Sequence, residues 1–144
     1  MAVIWAHVDF MQSPVSMLMS SDDLVVAERS HTLLEIWELM VESSIQHIPI
    51  VEGDELVGLL SSWDIARYAV DNGSAALGAI LAGDAMERNL VRLHPKATLR
   101  EAADKLADGG FHALPVADDD NALVGILTST DIIRYVATGR LRDE

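Results

Sequence analysis

Two short stretches of the chain place a hydroxyl and an acid at a predicted helix start. Ser61 precedes Asp64 by three residues, and Thr128 precedes Asp131 by the same interval. Backbone N–H groups at a helix start are unpaired and attract anions, so the hydroxyl lies where a phosphate oxygen would bind. The carboxylate has two oxygens and can accept hydrogen bonds from both hydroxyls of a ribose. The spacing therefore suits a phosphorylated nucleoside.

The same spacing has a structural interpretation. A Ser or Thr followed three residues later by an acid is typical of a capping box, in which each side chain accepts a backbone N–H of the first helical turn. For an isolated motif this interpretation is favoured, because such caps are common. The two roles are compatible, so capping does not exclude ligand binding.

Both stretches belong to an internal repeat. Residues 55–68 match residues 122–135 at nine of fourteen positions, at an offset of 67. Chance would give about one identity over that length. The shared phrase runs from a Gly through the hydroxyl and the Asp to an Arg and a Tyr, so the candidate chemistry is present twice.

Two further matches lie upstream, at an offset of 66. HIPIV (47–51) corresponds to ALPVA (113–117), and TLLE (32–35) corresponds to TLRE (98–101). The offset changes by one residue in the turn-like stretch 118–122, where a hairpin tolerates an insertion. The chain therefore holds two copies of a unit of about 55–60 residues.

Each copy predicts the element order β-α-β-β-α. The T-x-x-E phrases at Thr32 and Thr98 are capping boxes that open one helix, and a closing helix begins near Ser62 or Ser129. A connecting helix is predicted over 75–81. The order predicts an α/β domain of two repeats packed with pseudo-twofold symmetry. The predicted strands are short apolar runs: Leu24–Ala27, His47–Val51 and Leu56–Leu60 in the first copy, and Leu90–Leu93, Leu114–Ala117 and Leu123–Leu127 in the second.

Composition excludes several classes of protein. The net charge of −13 disfavours general nucleic-acid binding, which needs a basic surface. The absence of Cys removes disulfides, thiolate catalysis and Cys-ligated metals. No apolar run approaches the ~18 residues of a membrane span, and the N-terminus has no basic region typical of a signal peptide. We expect a cytoplasmic protein that needs neither a metal nor a cofactor.

The pattern resembles the cystathionine β-synthase (CBS) domain family, whose members occur as tandem pairs called Bateman modules. The resemblance rests on the HIPIV and ALPVA strands, the G-x-x-[ST]-x-x-D phrase and the closing I-x-R-Y helix, each present in both copies. The segments SMLMS (16–20) and GDAME (83–87) resemble the lead-in that opens such repeats. The expected boundaries are an N-terminal segment at 1–14, repeat 1 at 15–72, a connection at 73–82, repeat 2 at 83–138 and a tail at 139–144.

The resemblance implies a regulatory ligand-binding module without catalytic activity. Family members bind AMP, ADP or ATP, some bind S-adenosylmethionine or NAD, and some bind nothing. Neither copy is rich in Arg or Lys, so AMP or ADP is favoured over a triphosphate. The duplication and the resemblance together favour ligand contact over capping alone in at least one copy.

The resemblance also implies two clefts, each shared by both repeats, in which the Asp holds the ribose, the hydroxyl lies near the phosphate and the base packs on strands of the other repeat. The first cleft would combine Asp131 and Thr128 with Val25, Val26, Ile45 and His47. The second would combine Asp64 and Ser61 with Val91, Arg92, Phe111 and Ala113. For Val25, Ile45 and Val91 an ordinary core role is at least as well supported. Ser61 replaces the more usual Thr and bulky Trp63 follows it, so the Asp131 cleft is preferred.

Four basic side chains near the phrase have open roles. His47 and His112 flank the HIPIV and ALPVA strands, where the family places basic residues that reach phosphate, but a role at the surface or at a helix terminus is favoured. Arg67 and Arg134 could bind phosphate, although pairing with nearby acids is favoured. The glycine that opens each phrase would let backbone or ligand approach closely.

Two other classes of function compete with the sensor. The sequence lacks G-x-S-x-G, G-x-x-x-x-G-K-[ST] and H-E-x-x-H phrases, so independent catalysis is disfavoured. A ligand-free assembly module is the stronger alternative, because such modules often pair through their helices into a homodimer. In either case an unidentified effector protein, or a change in self-association, would carry the output.

Overall fold

The computed structural model describes residues 10–109 and 112–138. Residues 1–9 of the N-terminal segment, the tail at 139–144 and Phe111 lie outside them. The α-helices are α1 (Leu33–Ser43), α2 (Ser62–Asn72), α3 (Ala82–Ala85), α4 (Leu99–Gly109) and α5 (Ser129–Thr138). The strands are β1 (His47–Glu52), β2 (Glu55–Ser61), β3 (Ala113–Ala117) and β4 (Leu123–Thr128). Short 3-10 helices span Phe10–Gln12, Val15–Met17 and Ser74–Gly78.

The chain forms two compact units, each built around one repeat. The R1 unit contains Asp23–Leu90 together with Asn121–Leu123. The R2 unit contains Met1–Asp22, Val91–Asp120 and Val124–Glu144. Each unit therefore takes its lead-in segment from the other repeat, since 83–87 belongs to R1 and 16–20 to R2.

In the R1 unit, β1 and β2 form an antiparallel pair that runs from His47 opposite Ser61 to Glu52 opposite Glu55. Gly53, in the intervening turn, has a φ of +63°, a conformation that glycine adopts without steric cost. Two single bridges extend the sheet. Ala27 pairs in parallel with Ile50 of β1, and Glu87 pairs antiparallel with Leu59 of β2.

The R2 unit repeats this arrangement. Strands β3 and β4 form a two-stranded sheet. Leu93 pairs in parallel with Val116, and Ser20 pairs antiparallel with Ile126. Each of these residues is separated from its R1 counterpart by 66 or 67 positions, so the sequence repeat corresponds to a repeat of hydrogen-bonded structure.

The strands predicted at 24–27 and 90–93 do not form as full strands. Each is reduced to one bridge, at Ala27 in the first case and at Leu93 in the second. Ala27 donates to the carbonyl of Pro49 at 3.1 Å and accepts from Val51 at 2.9 Å. In a parallel ladder the next bond would join the carbonyl of Val25 to the N–H of residue 49, which proline lacks. Pro115 ends the ladder beside Leu93 for the same reason.

The two units have separate apolar cores. Both cores are aliphatic, and each includes a buried methionine of the lead-in segment. The most deeply buried R1 side chains are Leu33, Ile36, Ile48, Ile50, Leu60 and Ile65. The most deeply buried R2 side chains include Val15, Leu99, Leu114, Val116 and Leu127. Burying each such side chain contributes about 1.5–3 kcal/mol.

Both predicted capping boxes at the first helices form. At α1, Thr32 Oγ1 accepts the Glu35 N–H at 3.1 Å, and Glu35 Oε1 accepts the Thr32 N–H at 2.9 Å. The hydrogen bond from the Thr32 backbone lowers the pKa of Glu35, because it stabilises the ionised carboxylate. Thr98 and Glu101 make the equivalent bonds at α4, at 3.2 and 3.4 Å.

The predicted connecting helix over 75–81 is wrong. A 3-10 turn ends at Gly78, and α3 begins only at Ala82. Leu81 between them is extended, with φ −89° and ψ 147°, and pairs with Thr32. None of the helices in the described residues is long and apolar enough to cross a membrane.

Candidate functional site

The R1 site is the junction of β2 and α2. Ser61 Oγ accepts the Asp64 N–H at 3.1 Å, and Asp64 Oδ2 accepts the Ser61 N–H at 3.0 Å. Ser61 is in extended conformation, with φ −110° and ψ 160°, so it ends the strand and caps the helix. The capping interpretation of this phrase is therefore confirmed, and the carboxylate of Asp64 has a second oxygen, Oδ1, that can also accept hydrogen bonds.

The R2 site has the same geometry at the junction of β4 and α5. Thr128 Oγ1 accepts the Asp131 N–H at 3.1 Å, and Asp131 Oδ2 accepts the Thr128 N–H at 2.9 Å. Arg134 Nη1 lies 3.6 Å from Oδ1 of Asp131. Asp131 is only 8% exposed, whereas Asp64 is half-buried, so the R2 carboxylate is held more firmly.

Each Ser/Thr–Asp capping box lies beside the start of the first strand of its hairpin, which is β1 in R1 and β3 in R2. In R1, His47 is opposite Ser61, and the Ser62 N–H donates to the Gln46 carbonyl at 2.8 Å. In R2, the Ser129 N–H donates to the His112 carbonyl at 3.1 Å. The structure thus brings the candidate histidine positions next to the capping hydroxyls of their own units.

Other candidates in the same unit are further from the box. Val26 precedes the Ala27 bridge, at the edge of β1 away from β2, so β1 separates it from Ser61. Arg92 precedes the Leu93 bridge and is separated from Thr128 by β3 in the same way. Ile45 is half-buried before β1, where its N–H donates to the Met40 carbonyl at 3.0 Å. Ala113 is buried at the start of β3.

The glycine of each phrase contacts a methionine. A Cβ at Gly58 would overlap the thioether of Met86, with Cγ at 2.7 Å. A Cβ at Gly125 would overlap Met19 in the same way, with Cγ at 2.8 Å. Both glycines are closely approached, but within each unit by a methionine side chain of the lead-in segment and not by the backbone or ligand that the sequence suggested. The sequence contained a signal for these contacts, because Met19 and Met86 are separated by the same 67 residues as Gly58 and Gly125.

The two closing helices differ at their arginines. Arg134 pairs with Asp131, as favoured from the sequence. Arg67, at the equivalent position, lies with its guanidinium 5.9 Å from the ring centroid of Trp63. Trp63 is 69% exposed, and Thr130 replaces it in the second repeat. The tryptophan thus accounts for the different placement of Arg67, through a cation–π contact.

Metal binding has no support in the described residues. Within 10–109 and 112–138, no three His, Cys, Asp or Glu side chains are grouped so that they could hold an ion. The chemistry that the two boxes offer is hydrogen bonding by a hydroxyl, a carboxylate and backbone N–H groups.

Comparison with known families gives matches that coincide with the two repeats. The model of the CBS domain matches residues 15–71 and again residues 82–138. Two sequence relatives are archaeal enzymes. L-aspartate semialdehyde sulfurtransferase of Methanocaldococcus jannaschii is 31% identical over 127 residues, and homoserine O-acetyltransferase of Methanohalobium evestigatum is 34% identical over 116. The alignments cover 86% and 80% of this chain but only 24% and 22% of those enzymes.

Solved structures of CBS domain pairs have the same fold. The pair of protein MJ0100, in complex with 5′-methylthioadenosine and S-adenosyl-L-methionine, aligns with a TM-score of 0.78 and 28% identity, over 89% of this chain and 98% of that one. CBSX2, in complex with AMP, aligns with a TM-score of 0.77 and 26% identity, over 86% and 96% of the two chains. The predicted fold class, two mixed helix and strand repeats, is therefore confirmed.

Proposed function

Because the chain belongs to the CBS domain family, we propose that it is a regulatory module that binds an adenine nucleotide, AMP or ADP, and has no catalytic activity of its own. The observation that carries the proposal is the pair of boxes at Ser61–Asp64 and Thr128–Asp131. Each presents a hydroxyl, a carboxylate and N–H groups at the start of a helix of ten or more residues. Similarity to pairs solved with AMP and with S-adenosyl-L-methionine supports an adenosine-containing ligand.

We assign the ribose to the carboxylates and the phosphate to the hydroxyls. Asp131 is the preferred ribose acceptor, because the Thr128 N–H and Arg134 fix its orientation before any ligand arrives. The remaining residues assigned to base or phosphate are Val26, Ile45, His47, Arg92, His112 and Ala113.

Isothermal titration with AMP, ADP, ATP, S-adenosylmethionine and NAD tests this function. We expect micromolar binding of AMP or ADP by the intact chain and weaker binding by Asp131→Ala and Asp64→Ala. Tighter binding of S-adenosylmethionine than of any nucleotide would move the assignment to that ligand, which the similarity to the MJ0100 pair supports. Absence of heat with all five compounds would overturn the sensor function.

A ligand-free assembly module is the second candidate, and exposed apolar side chains on α1, α2 and α5 favour it. It predicts a stable homodimer whose thermal unfolding does not respond to nucleotide. The sensor predicts stabilisation of about 2.7 kcal/mol when the ligand is at a hundredfold excess over its Kd. Thermal unfolding with and without AMP separates the two.

A further inference from the structure

The pair Asn72–Gly73 lies where helix α2 of the R1 unit ends. Asn72 is the last residue of α2, and Gly73 follows it with a φ of +87° and a ψ of 147°, outside the helical region. Both residues are exposed. Glycine adopts this φ without steric cost, and because it has no Cβ its backbone nitrogen is open to a reacting group. The helix therefore ends with a side-chain amide next to an unhindered backbone nitrogen.

An asparagine followed by glycine is thermolabile, because it can lose its amide without an enzyme. The backbone nitrogen of Gly73 attacks Cγ of Asn72 and forms a new C–N bond, while the bond from Cγ to Nδ2 breaks. Ammonia leaves with the proton of the attacking nitrogen, and a five-membered succinimide ring remains. Water then opens the ring at either carbonyl. The product is an aspartate, or an isoaspartate in which the side-chain carbon has become part of the main chain.

Two hydrogen bonds of the last turn engage the two nitrogens that this reaction uses. The Gly73 N–H donates to the Ala69 carbonyl at 2.8 Å, and Asn72 Nδ2 donates to the Tyr68 carbonyl at 3.2 Å. The attacking nitrogen must be released from Ala69 before it can lose its proton. The reaction therefore requires the last turn of α2 to open.

Little in the structure keeps this last turn closed. Val70 and Asp71 are both exposed, with 84% of Val70 accessible. The last turn has no basic residue, and Asp71 places a negative charge next to the negative end of the helix dipole. Helix ends with few buried contacts open at a small cost in free energy. Tyr68 and Ala69 pack against the R1 core, so we expect the opening to stop there.

The chain has two other asparagines, and neither combines these features. Asn89 is exposed but precedes Leu90, whose side chain crowds the backbone nitrogen that would attack. Asn121 precedes Ala122 and is half-buried, and its Nδ2 donates to the Leu56 carbonyl at 2.9 Å. Both therefore serve as internal controls for the reaction at Asn72.

We propose that Asn72 is a site of spontaneous deamidation, and that the modification loosens the junction between α2 and the segment that follows it. An isoaspartate adds a methylene to the main chain, next to the cap in which the Gly73 N–H binds Ala69. It also adds a negative charge at the carboxyl end of α2, where the helix dipole disfavours it. The 3-10 helix Ser74–Gly78 is anchored in the R1 core by buried Leu77, so a longer main chain at Asn72 strains that packing.

Peptide mapping by mass spectrometry tests the proposal, because trypsin separates the three asparagines. They lie, in chain order, in the tryptic peptides 68–88, 89–92 and 106–134. The folded chain is aged at mildly alkaline pH, and the conversion of amide to acid is followed in each peptide. The same measurement in urea gives the rates in the unfolded chain. Asn72→Gln is the matched control, because it keeps an amide but would have to close a larger ring.

We expect the folded chain to lose the amide of Asn72 roughly tenfold or more faster than those of Asn89 and Asn121, because only Asn72 precedes a residue without a Cβ. Reaction at Asn72 in urea but not in the folded chain would show that the last turn stays closed and would overturn the proposal. Equal rates at the three asparagines, or equal loss in Asn72→Gln, would overturn the selectivity. None of these outcomes depends on whether a nucleotide binds.

Thermal unfolding provides a second readout. The aged protein carries an additional negative charge, so ion exchange separates it from the unmodified chain, and fragmentation by electron transfer measures its isoaspartate content. The variant Asn72→Asp has the same charge without the added methylene. We expect the isoaspartate form to unfold at a lower temperature than Asn72→Asp. Equal unfolding temperatures would show that the longer main chain does not disturb the junction, and would overturn that part of the proposal.

Discussion

Gly58 and Gly125 each lie against a methionine side chain of a lead-in segment. The sequence indicated close approach at both positions but not by what. The structure places a buried methionine of the lead-in segment there, Met86 on Gly58 and Met19 on Gly125. The approaching group was not predicted, because each methionine lies far from its glycine along the chain and the contact is fixed by packing; the available signal was the matching offset of Met19 and Met86.

Gly58→Ala should destabilise the protein by about 1–3 kcal/mol, because the new methyl group overlaps a buried side chain. The double variant Gly58→Ala with Met86→Ala should lose less than the sum of the single losses, because truncation of Met86 removes the overlap. Urea unfolding of the four proteins measures this coupling. Strict additivity would show that the two residues do not share the contact.

The capping box at α1 gives a prediction about pH. Thr32→Ala should cost about 1 kcal/mol, through loss of the N-cap hydroxyl. The pKa of Glu35 is lowered in the fold by the Thr32 N–H, so its contribution is fully present above the ordinary pKa of a glutamate. That contribution is lost as the pH falls through the lowered pKa.

Glu35→Gln isolates the ionisation, because the amide retains an acceptor oxygen without the charge. The stability difference between wild type and Glu35→Gln should be largest near neutral pH and should shrink on acidification. Urea unfolding over a pH series measures it. A difference that is independent of pH would show that the ionised carboxylate is not what the cap stabilises.

At the scale of elements, local signals in the sequence were reliable wherever the backbone partners are close along the chain. The capping boxes at Thr32 and Thr98 and the hairpins were predicted because a cap or a turn depends on only a few consecutive residues. The strands at 24–27 and 90–93 were predicted too long, because the proline that ends each ladder belongs to the neighbouring strand. The predicted connecting helix is only a 3-10 turn that ends at Gly78, and Leu81, at its predicted end, is extended and pairs with Thr32.

The segment that follows the insertion in the second repeat also acquires a role at this scale. Asn121–Leu123 pairs with the start of β2: the Leu56 N–H donates to the Asn121 carbonyl at 3.0 Å, and Asn121 Nδ2 donates to the Leu56 carbonyl at 2.9 Å. Asn121 has a φ of +60°, which Asn tolerates better than most residues. The Leu123 N–H donates in turn to the Asp54 carbonyl at 2.9 Å, so residues 54–56 and 121–123, which are related by the offset of 67, pair with each other.

Two substitutions at Asn121 separate these effects. Asn121→Gly keeps the positive φ but removes the amide, so it should cost about 1 kcal/mol for the lost hydrogen bond. Asn121→Ala removes the amide and also strains the backbone, so it should cost roughly 1–2 kcal/mol more than the glycine variant. Urea unfolding measures both. An alanine variant as stable as the glycine variant would contradict the role of the positive φ.

At the scale of the whole molecule, the sequence repeat predicted two equivalent units but not which segments of the chain each unit contains. The offset of 67 relates Met19 to Met86 and Gly58 to Gly125, and this symmetry is satisfied whether a lead-in segment packs on its own repeat or on the other. The structure selects the other repeat in both cases. The local sequence could not show on which repeat a lead-in segment packs, because it is the same in both arrangements. The packing of the folded chain decides between them.

The central claim is that the Asp of each box binds ligand in addition to capping its helix. The chain offers a matched control, because Glu101 is also the third helical residue of a capping box, at α4, and has no assigned contact with a ligand. Asp131→Ala and Glu101→Ala therefore remove the same kind of cap, and only Asp131→Ala removes the proposed ribose acceptor.

The most direct measurement is the Kd for AMP of the wild type and of these two variants, by isothermal titration at a temperature where all three are folded. We predict that Asp131→Ala raises the Kd roughly tenfold or more, as expected for loss of a charged hydrogen bond, while Glu101→Ala leaves it unchanged. Equal affinity in all three proteins would contradict the account and reduce Asp131 to a helix cap.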